Sequence, residues 1–81
     1  MKIIKTYSSP HINYEIFEEN SFYHISVYVG DKKSTPDPER HITLRDFSRD
    51  LETAEIFTKA VSSAAALPIH MEELAESFLS R

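Results

Sequence analysis

Near Leu51 the spacing of apolar residues changes from every second position to every third or fourth. Ahead of that point Ile12, Tyr14 and Ile16 alternate with Asn13 and Glu15. Tyr23, Ile25, Val27 and Val29 alternate with Phe22, His24, Ser26 and Tyr28. A period of two sends the two sets to opposite faces of a strand. Beyond Leu51 the residues Ala54, Phe57, Val61 and Ala64 follow at helical spacing, with Ile56 and Ala60 widening the stripe. Met71, Leu74, Ala75, Phe78 and Leu79 form a second stripe, which predicts a buried helix face. Strands that all precede the helices predict an α+β fold. The expected form is a three- to four-stranded antiparallel sheet with a C-terminal two-helix hairpin packed on one face.

Local signals set the expected boundaries. Lys2 to Tyr7 reads as a short edge strand, and Ser8-Ser9-Pro10 as a turn, because Pro10 fixes its own φ. Glu18 to Ser21 reads as a hairpin loop. Gly30 to Arg40 holds two prolines and the only glycine, at a length where loops become functional or mobile. His41 to Arg45 resumes alternation with Ile42 and Leu44 inward, which keeps the strands within residues 2–45. Arg45 to Asp50 reads as a strand end and a polar turn, with Asp50 or Ser48 as helix cap. The helices are expected at about 50–66 and 70–80, separated by Pro68. His70 is the expected cap of the second, with Glu73 as its box-like partner.

Eighty-one residues make one domain, 1–81, which buries about 60% of its unfolded surface. No cysteine is present, which removes disulfides and cysteine-based zinc sites and fits a reducing compartment. The net charge is −4, and only Lys32-Lys33 clusters among the basic residues. Nucleic-acid binding wants a concentrated basic face, so it is the least favoured class of partner. No apolar run reaches the roughly 20 residues of a membrane span, and the start lacks a signal-peptide pattern. The expectation is a cytoplasmic protein without a membrane partner.

Catalytic signatures are missing. There is no G-x-S-x-G, no cysteine nucleophile and no glycine-rich phosphate loop. Asp46, Ser48 and Asp50 offer oxygens at alternating positions. A calcium loop needs more ligands and a glycine, so helix capping is the better reading. Of His11, His24, His41 and His70, no two share the spacing of a helical metal site. His24 and His41 are expected on outward strand faces as possible cross-strand neighbours, but two histidines make a poor zinc site. With Arg45 they are the ligand-binding candidates; no metal and no cofactor is expected. Phe17, Phe22 and Tyr28 are expected together on the face away from the helices. If that face is open, they form an apolar patch for a protein partner or a second copy of the chain.

The second half resembles a known family. Arg45-Asp46-Phe47-Ser48-x-Asp50, an amphipathic helix, and Leu67-Pro68-Ile69-His70-Met71-x-x-Leu74-x-Glu76-x-Phe78-Leu79 are similar to a family of small bacterial proteins of unknown function. That family is found mainly in clostridia and related Firmicutes. The resemblance implies a bacterial, cytoplasmic protein and carries no activity, ligand or partner with it. The function expected from the residues is a non-enzymatic interaction or regulatory module. A small-molecule or metal-binding domain using His24, His41 and Arg45 is the alternative.

Overall fold

The computed structural model describes residues 2–30 and 40–80. Four strands come first: β1 (Lys2–Ser9), β2 (Ile12–Glu19), β3 (Phe22–Val29) and β4 (His41–Ser48). They form one antiparallel sheet in the order β1-β2-β3-β4. Helix α1 (Leu51–Ser63), a 3-10 turn (Pro68–His70) and helix α2 (Met71–Leu79) then pack on one face. The fold is the expected α+β arrangement. The expected loop at 30–40 lies outside the described residues, apart from Gly30 and Arg40 at its ends.

The turns explain where the strands stop. Pro10, with its fixed negative φ, precedes His11 at φ 70, the conformational sequence of a type II turn. Asn20 and Ser21 both have positive φ, 56 and 66, as a two-residue type I′ hairpin requires. Two residues suffice, so Glu18 and Glu19 stay in β2 rather than in the expected loop. Gly30 ends β3 at φ 78, a conformation glycine adopts without strain.

β4 departs most from expectation, running to Ser48 instead of stopping near Arg45. Ile25 pairs with Leu44 but Tyr23 pairs with Ser48. Arg45, Asp46 and Phe47 therefore stand opposite the single residue His24. This bulge is turned at Asp46, whose φ of 51 is left-handed and is tolerated by Asp better than by most residues. It shifts the alternation, so that Phe47 points into the core.

The core lies between sheet and helices. Ile12, Tyr14, Ile16, Ile25 and Val27 supply the sheet side; Ala54, Phe57, Val61, Met71 and Ala75 supply the helical side. The rings of Phe47, Phe57 and Phe78 join the two layers, with centroids 4.8 to 6.2 Å apart. Asp50 caps α1 as expected, its carboxylate accepting from the Thr53 amide at 3.2 Å and the Thr53 hydroxyl at 2.7 Å. These bonds hold the Asp50 carboxyl below its ordinary range. α1 ends earlier than expected, at Ser63. Ala65 turns left-handed at φ 53, and the Ala66 and Ala65 amides donate back to the Val61 and Ser62 carbonyls. That is a Schellman stop with alanine where glycine is usual, so its signal is faint in the sequence. The expected His70 cap is not formed, because the Pro68–His70 turn leads directly into α2 and His70 takes helical angles.

Candidate functional site

The sheet face away from the helices holds most of the residues singled out in the sequence. Phe17 and Glu15 of β2, Phe22, His24, Ser26 and Tyr28 of β3, and His41 and Thr43 of β4 share it. They do not make one apolar patch. Phe17 is buried, with its ring stacked on His24 at 5.0 Å and the Arg45 guanidinium 5.9 Å above it. Phe22 is half-buried under the guanidinium of Arg49 at 4.8 Å. Tyr28 lies further along β3, donating its hydroxyl to the Glu15 carboxylate at 3.0 Å and meeting His41 edge-on at 6.4 Å. Glu15 and Ser26 separate it from the Phe17–His24 pair along the strands.

His24 has a structural task that follows from the β4 bulge. The Asp46 amide, released from the sheet ladder, donates to Nδ1 of His24 at 2.8 Å. Nδ1 is thereby an acceptor, so the proton of the neutral ring sits on Nε2. Nε2 donates to the Glu19 carbonyl at 2.9 Å. Both ring nitrogens are occupied, and the side chain is 2% exposed. Arg45 reaches across to the Glu19 carboxylate at 3.5 Å and completes the cover. His24 and His41 are not cross-strand neighbours, which corrects the expected pairing: His41 pairs with Tyr28, and the bulge stands opposite His24. Nε2 of His41 lies 3.1 Å from the Ser26 hydroxyl and 3.5 Å from that of Thr43.

Asp46, Ser48 and Asp50 serve the backbone. Asp46 turns the bulge, the Ser48 hydroxyl accepts from the Asp50 amide at 2.9 Å, and Asp50 caps α1. Among the described residues no three His, Asp or Glu side chains are grouped to hold a metal ion. No helix there is long and apolar enough to cross a membrane.

A different surface emerges in the helical layer. Ile56, Phe57, Ala60 and Val61 of α1 face Leu74, Ser77 and Phe78 of α2 across an open cleft of about 290 Å³. Its origin lies in the width of the α1 stripe. Ala54, Phe57, Thr58 and Val61 are buried against the sheet. One flank is fastened toward β1, through Lys5 to Glu55 at 3.5 Å and through the Ser9 hydroxyl to the Ser62 carbonyl. The other flank, Ile56 and Ala60, is exposed. Phe57 and Phe78 meet at 5.2 Å in the lining, and the small Ala60 and Ser77 leave the walls apart. Ile56 is 54% exposed and Leu74 39%. Leu74 and Leu79 thus leave the buried stripe expected of them, because α2 needs only Met71, Ala75 and Phe78 to seat on the core. The sequence does carry a signal for the cleft: Ile56 and Ala60 extend the α1 stripe beyond what one packing contact uses.

Comparisons with protein-family models, with curated proteins and with solved structures found no match to this chain.

Proposed function

We propose that this domain is a non-enzymatic protein-interaction module, working through the apolar cleft between α1 and α2. The observation that carries this reading is the exposure of Ile56 and Leu74 on either side of a lining that includes Phe57 and Phe78. Large apolar side chains gathered at one concave place, rather than scattered singly, are what a binding surface provides. Ser77 is the single polar residue in the lining, which suits docking better than acid–base or nucleophilic chemistry. The outer aromatics Phe17, Phe22 and Tyr28 contribute less on this reading, since rings and charges of the same chain already cover them. A chain without cysteine suits a reducing compartment, and we read the module as cytoplasmic.

The test is affinity capture with two double variants. Ile56→Ser with Leu74→Ser alters the cleft, and Phe22→Ser with Tyr28→Ser alters the outer face. A stoichiometric protein partner should be lost with the first pair and kept with the second. The opposite pattern would move the binding surface to the outer face of the sheet.

A further inference from the structure

Resting on that reading, we infer that the occupant of the cleft is a short amphipathic helix of another protein, with apolar anchors on one face and basic residues along its flanks. Three observations lead there. The first is the lining. Small-molecule sites combine apolar walls with several convergent polar groups that fix orientation. Here Ser77 is the single polar residue, and the remainder is aliphatic or aromatic. Such a surface reads apolar side chains presented in a row, which is how an amphipathic helix is held in a groove.

The second is shape. The cleft is open and walled by two helices of 13 and 9 residues. The lining runs from Ile56 to Val61 on α1 and from Leu74 to Phe78 on α2, roughly 8 and 6 Å along the axes at about 1.5 Å per residue, enough for about one and a half turns of a guest. Anchors at i and i+3 or i+4 span that length.

The third is charge. From Asp50 to Ser80 the acidic side chains are Asp50, Glu52, Glu55, Glu72, Glu73 and Glu76, and the only Lys or Arg is Lys59. Glu55 is engaged by Lys5. Glu52 precedes Ile56 by one turn, and Glu73 precedes Ser77 by one turn, so each helix carries an exposed carboxylate near the cleft. Lys59, one turn after Ile56, offsets part of this on α1 only. A second copy would set the same acidic layer against itself, and a phosphate-bearing surface would be repelled. A basic-flanked helix meets both the apolar lining and the acidic rim.

The chain contains no tryptophan, so an indole on a peptide reports binding without background. Two synthetic helical peptides share one apolar stripe with a single Trp among its anchors; one has Lys and Arg flanks, the other Glu and Asp. The basic peptide should bind about tenfold more tightly and weaken several-fold between about 50 and about 300 mM salt. Its blue shift should vanish with Ile56→Ser plus Leu74→Ser, and persist with Phe22→Ser. Glu52→Gln plus Glu73→Gln should narrow the preference between peptides.

Equal binding of both peptides, still dependent on Ile56 and Leu74, overturns the basic partner while leaving the interaction module standing. Concentration-dependent dimerisation in sedimentation, lost with the same cleft variant, overturns it in favour of a second copy. Binding of neither peptide overturns the helical occupant. The module itself falls only if capture also shows no partner that depends on the cleft.

Discussion

The two faces of the sheet are closed by different physics. On the helical face, Tyr14, Ile16, Ile25 and Val27 are fully buried by removal of apolar area from water. That force has no direction and scales with area. On the outer face Phe17 and His24 are almost as deeply buried, but what fixes them is directional. It is a ring stack, an overlying guanidinium, and two hydrogen bonds, one of them from the amide that the β4 bulge frees. The helical face should tolerate apolar exchanges that preserve volume. The outer face should not tolerate even a change of heteroatoms at constant shape.

The largest expected effect is on the helical face. Phe57→Ala removes a ring packed against both Phe47 and Phe78. It should lower stability by about 3–5 kcal/mol, read from urea unfolding. A chain of 81 residues has a total of roughly 4–12 kcal/mol by the usual per-residue range. The loss is therefore a large share of the total, and at the low end of that range it is all of it. A loss under about 1 kcal/mol would mean that the aromatic cluster does not fasten the helices to the sheet.

The outer face comes next. His24→Phe keeps a flat ring beside Phe17 but leaves the Asp46 amide and the Glu19 carbonyl without their partner. Each orphaned group costs about 1–3 kcal/mol; both bonds are only part-buried, so a combined loss toward the low end, about 2–4 kcal/mol, is expected. Hydrogen exchange locates the effect: protection of the Asp46 amide should fall more than that of amides in β2. If stability were unchanged, stacking alone would account for His24, and the contrast between the faces would collapse.

This contrast also separates what the sequence reveals from what it conceals. The inward set on β2 and β3 is legible because period two is a property of neighbouring residues along the chain. The Asp50 cap is legible for the same reason, since its partner is three residues away. The β4 bulge is not. Residues 41–48 alternate plainly until Arg45, and only the pairing with β3 reveals the extra residues that turn Phe47 inward. The role of His24 depends on an amide 22 positions away, so no local pattern announces it. The α1 stop at Ala65 was hidden by the lack of a glycine. The cleft was half visible, as a stripe too wide for its contact, but its openness depends on how α1 and α2 sit on the sheet.

Two hydroxyls on the helical face sharpen the comparison further, because one is satisfied and one is not. Tyr14 is fully buried and donates to the Ala66 carbonyl at 2.8 Å, tying β2 to the turn that follows α1. Tyr14→Phe should cost about 1 kcal/mol, the net value of one such bond. Burial raises the Tyr14 hydroxyl above its ordinary 10.0, against a smaller lowering by Ser9. The folded state therefore holds this proton more tightly than the unfolded chain does. Its contribution is complete below 10.0 and is lost as the pH rises through the raised folded value. Tyr14→Phe should flatten that alkaline decline in a pH series of urea midpoints.

Thr58 is the opposite case. It is fully buried in α1, and its hydroxyl has no hydrogen-bond partner among the described residues. Its burial therefore carries a desolvation cost with nothing returned. Thr58→Val keeps the branched shape, removes the orphaned oxygen and should raise stability by about 1 kcal/mol or less. This is the smallest effect expected, and its sign is what matters. Urea midpoints for Tyr14→Phe and Thr58→Val should fall on opposite sides of the wild-type value. If Thr58→Val were destabilising, its hydroxyl would have a partner in solution, and the helical face would share the directional character assigned to the outer one.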